Sequence, residues 1–317
     1  MAKPGSTGTK DESVKDLFDR IGKEVYDKVK EEAKERSKGE LEGKLSFASI
    51  LGELNYTDDP CELIKDKGDE LLGTNSNRYP CANRSPVRFS DENRSQCTHN
   101  RIKDSKRDDE KGACAPFRRL SVCDYNLEKM GTKKRKARHN LLAEVCLAAK
   151  YEAQSLEKYR AQYEAKYGDV GFTICTALAR SFADIGDIIR GKDLYLGYDD
   201  KEKNRRQQLD EKLKEIFKKI YEGLKGDAQT YYNDNDKDGN YYKLREDWWT
   251  ANRSTVWKAI TCDAPHDAQY FRGTCVGDGE HSTLAKKQCR CDGANIVPTY
   301  FDYVPQYLRW FEEWAED

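Results

Sequence analysis

Eleven cysteines and one dense run of cations are the residues of this chain best suited to chemistry. The cysteines are Cys61, Cys81, Cys97, Cys114, Cys123, Cys146, Cys175, Cys262, Cys275, Cys289 and Cys291. That density predicts an oxidising compartment and a disulfide framework. The odd number leaves at least one over, either bonded to sequence outside this chain or buried as a free thiol. Spacing does not fix the pairing. Cys262, His266, Cys275, His281, Cys289 and Cys291 also form a Cys/His cluster, but they lack the repeated short spacing of a zinc knuckle. Disulfides account for them better, and the single residue between Cys289 and Cys291 suits two bridges that leave in different directions.

The cations fall in clusters. Lys133, Lys134, Arg135, Lys136 and Arg138 form the densest, with Arg118 and Arg119 upstream. Lys203, Arg205, Arg206, Lys212, Lys214, Lys218 and Lys219 add a cationic helix face. Any one lysine reads best as solvated surface. Together they could hold a polyanion such as a sulfated glycan, because clustered cations gain from counterion release. A disulfide-rich chain argues against nucleic acid as that polyanion. Asp234, Asp236, Asp238 and Gly239 nearly match a calcium loop, but Arg245 stands where the bidentate Glu belongs, so a solvated turn is expected. Asn55, Asn93 and Asn252 begin glycosylation tripeptides of a kind common by chance. No nucleophile elbow, phosphate loop, zinc-protease motif or dinucleotide fingerprint is present, and His99, His139, His266 and His281 sit in polar contexts. The expectation is a non-enzyme with no cofactor and no metal.

The elements that must position these residues are mostly helical. Of 317 residues 37% are apolar and 36% charged, so the core is thin and much of the surface ionic. The net charge of -1 selects no partner, which leaves recognition to local patches. No apolar run is long enough to span a bilayer, and the first residues lack a signal-peptide core. Residues 1–60 read as an N-terminal segment. Val14, Leu17, Phe18, Ile21, Val25 and Val29 recur at helical spacing and predict a helix that ends near Ser37–Gly39 and lays that face on a neighbour. Residues 61–136 are rich in turn formers and read as a loop-dominated, disulfide-stapled subdomain. Residues 137–317 read as a helical bundle. Its helices are predicted from Ala137 to Gly168, over Phe172–Arg190 with Gly191 as the stop, and over Lys201–Leu224, Trp248–Ile260 and Tyr303–Ala315. Long polar loops are expected at 226–247 and 263–297.

Three blocks carry a resemblance: SFADIGDIIRGKDLYLG (Ser181–Gly197), WWTANRSTVWKAITC (Trp248–Cys262) and PTYFDYVPQYLRWFEEWAED (Pro298–Asp317). They resemble the blocks that bracket the variable tag of an alpha-type Duffy-binding-like domain, from the erythrocyte membrane protein 1 adhesins of the malaria parasite. GKLSFASI (Gly43–Ile50) is similar to the end of that family's N-terminal segment. PFRRLSVCDYNLE (Pro116–Glu128) and NLLAEVCLAAKYE (Asn140–Glu152) are similar to its early blocks. The four cysteines of the tag region (Cys262, Cys275, Cys289, Cys291) look like the four-cysteine subtype.

The resemblance implies an all-α, disulfide-rich fold. A loop-rich first subdomain and a helix-bundle second subdomain would be present, and a third subdomain would begin where this chain stops. The leftover cysteine and the lack of a signal peptide would both fit a piece of a longer protein, held in the membrane of the infected erythrocyte through its missing downstream part. The implied function is adhesion of the rosetting type. Its partners would be host cell-surface glycans (heparan sulfate or blood-group sugars) or complement receptor one. An alternative is an antigenic head that presents variable loops while neighbouring domains bind. The residues expected to contact glycan are Lys133, Lys134, Arg135, Lys136, Arg138, Arg118, Arg119, Lys203, Arg205, Arg206 and Lys212.

Overall fold

A computed structural model describes residues 13–50, 53–54, 56–63, 72, 76–84, 88, 95–97, 100–103, 113–131, 134–168, 171–233, 239–275, 283–292 and 296–316. Helix α1 runs from Val14 to Ser37, with Ser13 capping its first turn through the Asp16 amide. Two two-residue hairpin ladders follow, β1 (Ser49–Ile50) with β2 (Glu53–Leu54) and β3 (Ser95–Gln96) with β4 (Ala115–Pro116). Short helices α2 (Phe117–Leu120) and α3 (Tyr125–Glu128) lead into α4 (Ala137–Tyr167). Then come α5 (Ile174–Arg190), α6 (Asp200–Tyr221), α7 (Gly226–Tyr231), α8 (Tyr242–Ile260) and α9 (Gln306–Glu316).

The termini of α5 follow from local chemistry. Thr173 accepts the Thr176 amide at the start, and Gly191 at φ 74° closes the end, where a side chain would be strained. Helix α8 begins six residues before the Trp248 expected from the sequence, and α7 occupies part of the stretch read as a loop at 226–247. The 263–297 stretch has no helix among its described residues.

Helix α8 packs against both α4 and α5 and forms the centre of the bundle. Trp248, Trp249 and Trp257 from α8 meet Phe182 of α5 and Phe217 of α6, at ring separations of 5.1 Å for Phe182–Trp249, 5.2 Å for Phe182–Trp257 and 6.0 Å for Phe217–Trp248. Tilted and edge-on pairs of this kind add about 0.5–1.5 kcal/mol each beyond burial. One core gathers Leu41 and Leu45 from the N-terminal stretch, Leu63, Val122 and Leu127 from the loop-rich stretch, and the bundle helices.

Helix α1 docks on one edge of its apolar stripe: Phe18 packs against the core and Leu17 and Val29 are half-buried. Val14, Ile21 and Val25 are exposed, while Asp19, Gly22, Ala33 and Ser37 are buried. Gly22 decides this, because a Cβ there would stand 2.3 Å from the Tyr300 carbonyl oxygen. With no side chain in the way the backbones approach closely, and Asp19 accepts the Tyr300 amide at 2.6 Å. Burial pushes the Asp19 carboxyl up from 3.8 to about 7.

Ten cysteines pair: Cys61–Cys262, Cys81–Cys123, Cys97–Cys114, Cys175–Cys289 and Cys275–Cys291. Cys289 and Cys291 do leave in different directions. The bridges consume the four cysteines of the possible zinc cluster. Cys146 is the exception to the disulfide expectation. It is a free thiol inside α4, 1% exposed, so it is packed rather than waiting for an outside partner. Asn252 is likewise buried, accepting the Gly43 amide and donating to the Leu41 carbonyl, which removes it as a glycosylation acceptor. Asn55, Asn93, Asp234, Asp236, Asp238, His99 and His281 lie outside the described residues.

The three recognisable blocks converge on one buried ionic lattice. Arg309 of α9 donates to Asp184 at 2.8 Å and Asp187 at 2.6 Å on α5. Arg190 holds Asp187 at 2.8 Å, and Arg253 of α8 holds Asp302 through two 2.8 Å bonds, with the Trp249 indole donating to the same carboxylate. Burial alone would raise Asp184, yet Arg118 and Arg309 overcome it and hold that carboxyl well below its usual range. Such a lattice tolerates little change, because removing one partner leaves a charge buried without compensation.

Candidate cationic binding surface

The structure divides the expected glycan-contacting residues into two groups. Arg118, Arg119 and Arg206 are buried, which corrects their placement on the surface. Arg118 donates to Glu313 at 2.8 and 2.9 Å, to Asp184 at 2.7 Å and to Ser181 at 2.8 Å. Arg119 is bound by Asp193, and Arg206 by Asp124 and Glu202. Burial would raise Asp124, but Arg206 and Arg84 outweigh it and keep the carboxyl strongly depressed. These guanidinium groups face inward carboxylates and present no charge to a ligand.

The second group stays at the surface. Arg135 and Lys203 are exposed, and Lys136, Arg138, Arg205 and Lys212 are partly exposed. Lys133 lies outside the described residues, and for Lys134 the backbone alone is described, as the first residue of the turn Lys134–Lys136. Arg138 is anchored by a bond to the Glu40 carbonyl, which fixes its stem against the end of α1. Burial, reinforced by Arg138 and Lys136, pushes His139 down to about 4, so it adds no charge at neutral pH; its Nδ1 accepts the Lys44 amide at 2.9 Å.

The turn Lys134–Lys136 packs against α6. The turn thus brings its cations against a helix that carries further cations. Helix α6 carries eight Lys or Arg against five Asp or Glu, so its excess is positive but modest. Lys212 and Lys219 pair with Glu215 at 3.1 and 3.0 Å, and Lys214 with Asp210 at 3.1 Å. Exposed pairs at this spacing contribute about 0.2–0.5 kcal/mol and exchange readily for an anionic ligand.

Near the start of α6 the surface acquires depth. The bridge between Ile102 and Tyr195 carries Lys103 to the edge of a cavity of about 300 Å³ that Lys203 also lines. Its floor is apolar, from Ile188, Leu196, Leu209 and Leu213. Asp193 and Asp210 share the lining, so the two lysines face carboxylates as well as the apolar residues. Lys103 gave no signal in the sequence, since its place depends on the long-range contact with Tyr195. Among the described residues no group of three or more His, Cys, Asp or Glu could hold a metal ion, and no helix is long and apolar enough to cross a membrane.

The Duffy binding domain family matches residues 112–309, and the family of N-terminal segments of PfEMP1 matches residues 13–49. The NTS-DBL1(alpha-1) domain of Plasmodium falciparum PfEMP1 from the varO strain is 35% identical with a TM-score of 0.71, over 96% of this chain and 61% of that one. The NTS-DBL1-alpha and CIDR-gamma double domain from the same strain is 36% identical with a TM-score of 0.77, over 96% of this chain and 43% of that one. A PfEMP1 DBLβ domain bound to human ICAM-1 is 29% identical with a TM-score of 0.66, over 99% of this chain and 63% of that one. The chain thus spans less than two thirds of the length of these structures. No curated protein matches it. The chain belongs to the Duffy binding domain family, as an alpha-type domain joined to the N-terminal segment of the PfEMP1 proteins.

Proposed function

We propose that this domain is an adhesion module of a variant surface antigen displayed on infected erythrocytes, and that it holds sulfated host glycans such as heparan sulfate on the surface formed by residues 133–138 and α6. The observation that supports this reading is the packing of the Lys134–Lys136 turn on α6, itself a helix with a positive excess. A linear polyanion spanning both would release counterions from each, a gain that neither cluster offers alone. The reading treats residues 1–60, 61–136 and 137–317 as successive subdomains of one non-enzymatic binding unit. Blood-group sugars and complement receptor one remain the other partners of this class.

Heparin chromatography of the oxidised domain tests the reading. The wild type is expected to stay bound above physiological salt, and the variant Lys133→Ala, Lys134→Ala, Arg135→Ala, Lys136→Ala is expected to elute earlier. Absence of retention by a folded domain would refute glycan adhesion and favour an antigenic head. A second reading, a protein receptor, draws on DBLβ relatives whose structures are solved bound to ICAM-1. It predicts binding to receptor ectodomains that is insensitive to the quadruple substitution.

A further inference from the structure

A disulfide exchanges with an outside thiol when its sulfurs can be reached and one of them is a stabilised leaving group. Three of the five bridges have at least one buried member. Cys123, Cys175 and Cys289 are 0% exposed, and Cys275 and Cys291 are 4% and 8% exposed. Both members are partly exposed in Cys61–Cys262 and Cys97–Cys114.

In the first of these a guanidinium meets the sulfur. Arg290 Nη2 donates to Cys61 Sγ at 3.5 Å and to the Lys258 carbonyl at 2.6 Å, while its Nε donates to the Thr261 hydroxyl at 2.6 Å. The sequence holds this cation in place. Arg290 is the single residue between Cys289 and Cys291, which are tied to Cys175 and Cys275. Two bridges therefore anchor the backbone on either side of a charge aimed at a third. Burial draws Arg290 down from its usual value, but a guanidinium stays protonated at neutral pH. Lys150 of α4 brings a second cation to the same residue, donating to the Cys61 carbonyl at 3.3 Å.

The carboxylates nearby are distributed unevenly. Asp59 accepts the Cys61 amide at 2.9 Å, but Lys258 offsets its charge at 3.1 Å. Glu62 is exposed. Asp263 directly follows Cys262 and accepts the Gln154 amide at 2.7 Å. A thiolate is thus favoured at Cys61 by Arg290 and disfavoured at Cys262 by its neighbour.

We propose that Cys61–Cys262 is a thiol-exchange site, opened by a small external thiol that attacks Cys262 Sγ and expels Cys61. The incoming thiolate forms a new S–S bond with Cys262. The old bond breaks with its electron pair on Cys61 Sγ, where Arg290 holds the thiolate until water protonates it. A second small thiolate attacks the mixed disulfide and releases Cys262, which is protonated in turn. Two small thiols end as one disulfide, and two electrons and two protons have entered the protein. Opening this bridge removes the covalent constraint of longest separation, 201 residues against 114 for the next. The turn Pro60–Glu62 is then held on α4 and α8 by packing and the Lys258–Asp59 pair.

Glutathione is the probe. The native, oxidised domain is treated with it in limiting amount at neutral pH, quenched with iodoacetamide and mapped by peptide mass spectrometry. Glutathione on Cys262 and the alkyl label on Cys61 are expected before any other bridge reacts. Arg290→Gln should slow the opening by roughly three- to tenfold, and Arg290→Lys should retain most of the rate. The direction separates this role from a structural one. Arg290 also holds Thr261 and the Lys258 carbonyl, so a variant that merely loosened the fold would open the bridge faster. The wild-type map decides the site and the polarity even where a variant fails to fold. Glutathione on Cys61, first reaction at Cys97–Cys114, or an Arg290→Gln rate at or above that of wild type would each overturn the proposal.

Discussion

Replacing Arg206 by alanine separates a buried cation from a surface one more cleanly than any other substitution in α6. Arg206 neutralises Asp124, which is 0% exposed, and Glu202, which is 1% exposed. Arg84 would still hold Asp124, but among the described residues Glu202 would keep only neutral donors, the Tyr195 hydroxyl at 2.9 Å and the Tyr198 amide at 3.2 Å. Removing one partner from such a cluster costs about 3–5 kcal/mol. With an unfolding entropy of about 2.1 cal/mol/K per residue, a chain of 317 residues gives ~0.7 kcal/mol/K, so the melting temperature should fall by ~4–7 °C. Lys203, three residues away and exposed, should cost under ~0.5 kcal/mol when changed to alanine, less than ~1 °C. Calorimetry of both oxidised variants at pH 7 makes the comparison. If Arg206→Ala and Lys203→Ala melt within a degree of each other, the buried lattice around Asp124 is wrong.

Three further outcomes follow from the same packing. Asp19 has its folded-state value raised above that of the unfolded chain, so the stability it confers is full below about pH 4 and is lost as pH rises through about 7. A shift of this size is worth up to ~4 kcal/mol; Asp19→Asn, which still accepts the Tyr300 amide, should flatten that slope in urea titrations from pH 4 to 8, and an unchanged slope would contradict the assignment. Gly186→Ala places a Cβ 2.8 Å from the Trp249 ring and should destabilise by about 1–3 kcal/mol in denaturant melts, where a neutral result would mean the α5–α8 contact is looser than described. Burial pushes the Cys146 thiol up, so mass spectrometry after iodoacetamide should find no label on the folded chain and one label on the unfolded, unreduced chain; labelling of the native chain would show an accessible thiol.

Much of the bundle was legible in the sequence because helix punctuation and buried aromatics are local signals. Gly191 ends α5 and Gly168 ends α4 where the pattern breaks, and Leu209, Leu213, Ile216, Phe217 and Ile220 line the buried face of α6 as their spacing implies. What failed depended on partners distant in sequence. Arg118 looks like any surface cation until Asp184 and Glu313 are brought to it. The apolar stripe of α1 is a genuine helical pattern, but Gly22 and Asp19 fit Tyr300 more closely than Val14, Ile21 or Val25 fit anything. The disulfide pairing was beyond spacing because Cys61–Cys262 closes a separation of 201 residues, which the packing of the short helical turn Pro60–Glu62 on α8 explains. The cations were visible as clusters, but the packing of the Lys134–Lys136 turn on α6 was not.

The most direct test of glycan adhesion is the salt dependence of equilibrium binding to immobilised heparin. Wild type would be compared with the variant Arg135→Ala, Lys136→Ala, Lys203→Ala, Arg205→Ala, all at least partly exposed residues from the two clusters. Each cation that engages the chain adds roughly 0.7–0.9 to the slope of log affinity against log salt. The account predicts a slope shallower by roughly 2–4 in the variant, with affinity lost at low salt. Equal slopes for the two proteins, or no binding by the folded wild type, would contradict it.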